Sequence, residues 1–222
     1  SSLITSGFVS VMFKESSSKP ILILMTKWPA VNRCKQRLAI GIGAVRAAYI
    51  QQRLTFHTIA VAKNLKEKGF IEFKLAIAGI GPRLANRWGK KMGVKTISIQ
   101  SAGSLGLRLK KEILKSQRKK RHLFDKEKKA TIVIGTDLPT LCELDLVQAI
   151  RKLEDNEMVL GPSEDGGYWL IGLSSRIDPL ASFPFNGIQW GTSSVLKETI
   201  YQVEAAGIRY ELLKYKNDLD HL

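Results

Sequence analysis

Residues 161–173 read GPSEDGGYWLIGL, and how this stretch divides decides how the rest of the chain is read. Val159 and Leu160 run into Gly161 and Pro162 as a buried strand runs into a turn, and Tyr168 opens a second strand that ends at Leu173. Between them, Ser163, Glu164 and Asp165 put two carboxylates and a hydroxyl at the tip, and Gly166 and Gly167 let the backbone come close to another group. Taken alone, the segment is also an acidic hairpin loop, since Asp-Gly is a common hairpin signal. Three other stretches point to the same kind of site.

Outward from it, the chain alternates strands and helices. ILILMT at 21–26 is the continuous apolar run of a parallel strand covered on both faces. After KWPAVNRCKQRLA, residues 44–68 carry Val45, Ala48, Tyr49, Leu54, Ile59, Ala62 and Leu65 at the spacing of one or two helices, stopped by Gly69. A strand at 73–78, a helix at 82–92 closed by Gly93, a strand at 96–100, a basic helix at 105–119, a strand at 131–134 and a helix at 143–153 follow. Beyond the opening stretch, a helix at 193–206 is capped by Thr192 or Ser193 and stopped by Gly207, and a strand at 209–213 closes the series. This order predicts an α/β fold, a three-layer, doubly wound, mostly parallel sheet of the Rossmann-like kind. Residues 1–19 read as a loosely ordered tail and 20–222 as a single domain.

Bulk properties narrow the classes. A chain of 222 residues with 44% hydrophobic content buries a full core. No apolar run approaches the roughly 20 residues a bilayer span needs, and the N-terminus lacks the basic start and apolar core of a secretory signal. Cys34 and Cys142 are too few for a disulfide framework or a zinc site, and read as reduced thiols of a cytoplasmic protein. Lys and Arg outnumber Asp and Glu 35 to 20, a charge of +15 that suits nucleic acid, an anionic surface or a phosphorylated substrate. The densest run, 110–129, is interrupted by Glu112, Asp125 and Glu127, and has only Phe124 as an aromatic. It reads as a solvated helix and loop rather than a nucleic-acid face.

In doubly wound sheets ligands bind at the carboxyl ends of the strands. Lys27, Arg33, Lys35 and Arg37 cluster just after the first strand, where Arg forks and Lys point charges meet phosphate oxygens. No glycine-rich phosphate loop lies there. In IGTDLPTL, 134–141, Asp137 stands just beyond a strand, either as a hard oxygen ligand for Mg²⁺ or Mn²⁺ on a diphosphate or as a cap on the next helix. NDLDHL at the C-terminus adds Asp218 and Asp220, which share one side of an extended segment and join Asp137 at a metal, or form a frayed acidic end. The nearby His221 reads as an exposed terminal histidine.

These stretches, in this order, resemble the bacterial DUF2064 group of nucleotide-diphospho-sugar transferases with the GT-A fold, over about 20–222. The group's opening aKxPvxGrvKTRL pattern matches Thr26, Lys27, Pro29, Val31, Arg33, Lys35, Arg37 and Leu38, and its gdLGeRl matches Gly103, Leu105, Gly106, Arg108 and Leu109. GsDcPxL matches Gly135, Asp137, Pro139 and Leu141, and GPaeDGGYyLiGL matches 161–173 almost throughout. The gIxWsTxxVLxxT pattern is met by Gly187, Ile188, Trp190, Thr192, Val195, Leu196 and Thr199, and the closing DvD by Asp218, Leu219 and Asp220. Asn32, Gln36, Ser104 and Leu107 depart from the group's Gly, Thr, Asp and Glu, which bears on sugar and acceptor choice and on activity.

The resemblance implies a metal-dependent glycosyltransferase that uses a nucleotide sugar, with an acceptor the sequence does not name. In that reading Asp137 with Asp218 or Asp220 holds Mg²⁺ or Mn²⁺ on the donor diphosphate, and Lys27, Arg33, Lys35 and Arg37 neutralise the remaining charge. Asp165, beside Gly166 and Gly167, orients the acceptor hydroxyl as a base or binds donor hydroxyls, and Trp190 stacks on a sugar or base or packs in the core. Nucleotidyl transfer of the molybdopterin or phospholactate guanylyltransferase kind is the alternative, and a non-catalytic RNA- or anion-binding module is the third reading.

Overall fold

The computed structural model describes residues 18–118, 128–178 and 186–219. The tail expected at 1–19 therefore lies outside the described residues up to 17, as do Asp220 and His221 and the middle of the basic run. Among the described residues, thirteen elements alternate as β1 (Ile21–Lys27), α1 (Gln36–Ile42), α2 (Ala44–Glu67), β2 (Glu72–Ala78), α3 (Pro82–Lys91), β3 (Ile97–Ile99), α4 (Leu105–Arg118), β4 (Thr131–Gly135), α5 (Glu143–Asp155), β5 (Met158–Pro162), β6 (Tyr168–Leu173), α6 (Val195–Ala205) and β7 (Tyr210–Leu212).

The strands form one sheet in the order β3-β2-β1-β4-β6-β5-β7. β1, β2, β3 and β4 are parallel, β6 runs against β4 and β5, and β7 is parallel to β5, so β6 alone opposes the common direction. The doubly wound, mostly parallel α/β prediction is met, and the stretch that opened the reading is the hairpin between β5 and β6.

Period-two alternation along the strands builds two cores. Leu22, Leu24, Leu75, Ile77, Ile132 and Ile134 pack with residues of α2, α3 and α5, while Ile23, Ala76, Val133 and Ile171 pack with Leu109 and Ile113 of α4 and Val203 of α6. Helices therefore cover both faces, which is why the apolar run that opens β1 is stable here.

Three local readings differ. α1 was hidden inside a polar, proline-led segment whose only buried helical side chain is Leu38. α6 starts at Val195 with Ser194 as its N-cap residue, because Thr192 is drawn into a turn in which its hydroxyl donates to the Gln189 carbonyl at 2.7 Å. The basic helix is not merely solvated, for Glu112 is fully buried against Lys74 of β2. Lys74 Nζ lies 3.0 Å from Glu112 Oε2, Ser98 Oγ donates to the same oxygen at 2.8 Å, and Lys115 Nζ pairs with Oε1 at 2.7 Å. This cluster ties α4 to β2 and β3 and so sets where the first turn of α4 stands over the sheet.

Candidate functional site

β1 and β4 are neighbours at the point where the strand order reverses, so the chain leaving each goes to a different face and a crevice opens between them. A cavity of about 400 Å³ fills it, lined by Thr26, Lys27 and Lys35 from the β1 side, Gly135 and Asp137 from β4, Tyr168 from β6, and Asp218 from the C-terminal segment. A second hollow of about 320 Å³ is lined by Lys27, Arg33, Lys35, Gln36 and Arg37. Lys27 and Lys35 line both, so the four cations read from the sequence form one basic surface contiguous with the two carboxylates.

The turn that carries these cations needs unusual backbone. Asn32 has φ 64° and Lys35 φ 45°, both left-handed. Asn tolerates that region better than other side chains, so its place in a position where the pattern has Gly preserves the turn. Beneath the turn, Cys34 is buried and its thiol donates to the Ala30 carbonyl at 3.2 Å. Burial pushes the Cys34 thiol up, against a lowering by the neighbouring Lys35 charge.

Asp137 does not cap the helix after it. The N-cap residue of α5 is Cys142, whose backbone N–H donates to Asp145 Oδ2 at 2.8 Å. Asp137 Oδ1 is instead buried, accepts no hydrogen bond among the described residues, and stands 3.3 Å from Lys35 Nζ, whose side chain is 2% exposed. Lys35 also donates to the Leu219 carbonyl, and the Leu219 N–H donates to the Asp137 carbonyl at 3.0 Å. These contacts stitch the C-terminal segment onto the β4 loop and bring Asp218 into the cavity. Among the described residues no three acidic, histidine or cysteine side chains are gathered as a metal cluster. Two carboxylates open to a cavity still fit Mg²⁺ or Mn²⁺, which take one or two protein carboxylates and fill the other positions with water and substrate phosphate.

Below Asp137 lies a polar network that sequence reasoning missed. The Thr136 hydroxyl donates to Thr26 Oγ1 at 2.8 Å, Thr26 and Thr55 hydroxyls are 3.2 Å apart, and the Gln51 amide reaches Thr55 at 3.3 Å and Thr136 at 3.5 Å. It joins β1, α2 and the β4 loop beneath the carboxylate. Buried threonines and a glutamine with helical spacing, Gln51 and Thr55, were a signal that an otherwise apolar helix serves a polar neighbour.

The close approach expected of the DGG turn is made to the chain's own backbone. Asp165 is exposed, is not among the residues that line the cavity, and its Oδ1 accepts the Gly167 N–H at 3.0 Å. Gly166 has φ 86°, and a Cβ there would fall 1.9 Å from the Ser193 carbonyl oxygen. Its carbonyl accepts the Leu196 N–H at 2.8 Å. The glycines thus let the turn meet the chain's own backbone at the start of α6. Trp190 is not among the cavity residues either. Its ring stacks edge-on against Tyr168 at 6.2 Å, and Gly106 leaves the space it fills, since a Cβ there would lie 2.5 Å from the indole nitrogen.

To the lining of the cavity the structure adds Arg108 and Gln100. Arg108 lies in the first turn of α4, where the helix dipole disfavours a cation, and that misplacement was the available signal. The turn itself is capped by Ser104, whose Oγ accepts the Leu107 N–H at 3.4 Å, so Ser in place of the pattern's Asp leaves the cap intact.

Residues 61–192 match the family described as "Uncharacterized protein conserved in bacteria (DUF2064)". The chain belongs to the DUF2064 family. The match includes Asp137 and the DGG turn, while the basic turn and the C-terminal aspartates lie outside it. No curated protein matches this DUF2064 chain. Among solved structures, a candidate nucleotide-diphospho-sugar transferase from Desulfovibrio desulfuricans G20 is similar at TM-score 0.76 and 23% identity, over 92% of this chain and 83% of that one. The 4-diphosphocytidyl-2C-methyl-D-erythritol synthase of Anaerococcus prevotii DSM 20548 follows at TM-score 0.53 and 10% identity, over 92% and 89% of the two chains. A CMP:2-keto-3-deoxy-manno-octonic acid synthetase complexed with CTP gives 0.52 and 11%, over 92% and 94%. At these identities the likeness is one of fold.

Proposed function

We propose that this DUF2064 protein is a metal-dependent transferase acting on a nucleotide donor, and that the donor is a nucleoside-diphosphate sugar. The observation that carries the reading is the sharing of Lys27 and Lys35 between the basic hollow and the cavity that holds Asp137 and Asp218. That juxtaposition suits a diphosphate, which needs cations around its oxygens and carboxylates for a counter-ion.

Asp137 and Asp218 would hold the divalent cation, which when bound supplies positive charge to the diphosphate as it leaves. Exposed Lys27, Arg33 and Arg37 take phosphate oxygens directly. Lys35, pinned between Asp137 and the Leu219 carbonyl, keeps the carboxylate and the C-terminal segment in place. The transfer joins an acceptor hydroxyl oxygen to the anomeric carbon and breaks the bond from that carbon to phosphate oxygen, so the hydroxyl proton passes to water and the nucleoside diphosphate departs with the electron pair. Cations already in position around the departing oxygens lower the barrier without reorganisation at the moment of reaction.

Nucleotidyl transfer is the second reading, favoured by the likeness in fold to two cytidylyl-transferring proteins. The turn after β1, with left-handed Asn32 and Lys35 and a cluster of cations, argues for a diphosphate held by side chains rather than a triphosphate cradled by a glycine loop. A thermal-shift panel of NTPs, NDPs and NDP-sugars, each with and without Mg²⁺ or Mn²⁺, separates the two, because a ligand that binds only the native state raises the melting temperature. Metal-dependent stabilisation by an NDP-sugar above its NTP is the expected result. Stabilisation by an NTP alone would transfer the assignment to nucleotidyl transfer, and no shift with any nucleotide would overturn both.

A further inference from the structure

Arg108 is a charged group of the cavity that the diphosphate reading leaves unused. Its Nη1 donates to Gln100 Oε1 at 2.9 Å. The Gln100 amide nitrogen in turn donates to the Thr26 carbonyl at 3.1 Å and the Ala76 carbonyl at 2.9 Å, so two backbone acceptors decide which way the amide faces and leave its oxygen for the arginine. Arg108 Nε is buried and makes no hydrogen bond among the described residues. A buried guanidinium N–H without an acceptor is costly, and in native structures such a group is explained by strain, a bound partner or function.

The surroundings indicate the partner. Met25, Leu105 and Leu109 line the same cavity as Arg108 and offer apolar surface to a flat ring, whereas the cations that suit phosphates lie around the turn after β1. In the planar guanidinium, Nε–H and the adjacent Nη2–H point the same way, a donor pair suited to two acceptors side by side. Among free nucleobases, guanine presents that pair at O6 and N7 and cytosine at N3 and O2, whereas uracil alternates acceptor, donor and acceptor along its edge. Adenine replaces O6 with the N6 amino group, a donor facing a donor.

We propose that Arg108, oriented by Gln100, reads the base of the nucleotide donor and selects one with two adjacent acceptors, guanine through O6 and N7 or cytosine through N3 and O2, over adenine and uracil. The assignment rests on the nucleotide-donor reading and adds the base to it. Isothermal titration of the full chain with GDP, IDP, 7-deaza-GDP, CDP, UDP and ADP in Mg²⁺ tests it. ADP and UDP are expected to bind about ten- to a hundredfold more weakly than the better of GDP and CDP; if that is GDP, IDP, which keeps O6 and N7, binds as GDP does and 7-deaza-GDP falls between. R108Q is expected to bring the preferred nucleoside diphosphate down to the affinity of ADP, with a loss at least about tenfold greater than that of ADP. Binding of ADP or UDP as tight as that of both GDP and CDP, or an R108Q loss common to all bases, would overturn the inference while leaving the donor reading in place. Failure of every nucleotide to bind would remove the donor reading, and this assignment with it. Should R108Q fail to fold, the wild-type series decides alone.

Discussion

Gly166 and Asp165 show how one turn separates two kinds of requirement. A Cβ at Gly166 would enter the Ser193 backbone and force a side-chain residue to φ 86°, and neither neighbour is a flexible side-chain tip that can give way. Gly166→Ala is therefore expected to cost about 3 kcal/mol or more, since steric and left-handed penalties add, and a urea midpoint measurement reads it. Asp165 serves its turn through one oxygen that accepts the Gly167 N–H, and an Asn oxygen can do the same. Asp165→Asn is expected to keep both the melting temperature and most of the transfer rate, while Asp165→Ala loses about 1 kcal/mol of stability. Collapse of turnover in Asp165→Asn at unchanged stability would return the catalytic role to this carboxylate.

At the scale of elements, the placement of α4 depends on one buried charge. Burial by itself would raise the Glu112 carboxyl, but hydrogen bonds from Lys115 and Ser98 and the Lys74 charge outweigh it and hold the group below its ordinary value. The unfolded chain then takes up the proton first on acidification. The stabilisation is thus complete above the unfolded value of about pH 4.3 and is lost as pH falls through the depressed folded value. Glu112→Gln removes the buried negative charge that faces Lys74 and Lys115 and is expected to lower stability by about 3 kcal/mol, with a flatter acid limb in a pH series of denaturant midpoints. Because Arg108 stands one turn before Glu112 on α4, the variant is also expected to weaken nucleotide binding more than a surface change of equal charge, such as Glu204→Gln on α6.

For the whole molecule, the crevice exists because helices leave the sheet to opposite faces on either side of the β1 and β4 boundary, and the C-terminal segment returns to close it. Its halves come from residues more than a hundred positions apart, so donor binding and the metal should be coupled through Asp137. Asp137→Asn is expected to abolish the metal-dependent part of the donor-induced thermal shift and to spare the part due to the basic turn. That remainder is expected to decline as salt rises, because Lys27, Arg33 and Arg37 are exposed. An unaltered metal response in Asp137→Asn would take Asp137 out of the metal role.

The apolar run at 21–26, the glycine stops and the helical spacings were enough to predict a doubly wound α/β sheet, because parallel strands must be apolar on both faces and helices on one. They also marked Lys27, Arg33, Lys35, Arg37 and Asp137 as residues at the carboxyl edge, since position after a strand is readable along a chain. Which of these share a surface was decided by long-range contacts. Lys35 meets Asp137 and Leu219 only when the C-terminal segment folds back, and Gln100 meets Arg108 only when α4 lies over β1 and β2. Asp165 and Trp190 carried the same sequence signal as the cavity-lining residues, and only the folded chain shows that one accepts the Gly167 N–H and the other packs edge-on against Tyr168. Local sequence determines which residues leave a strand or start a helix. The direction in which a side chain's polar atoms find partners depends on neighbours supplied by other elements, and only the folded chain brings those together.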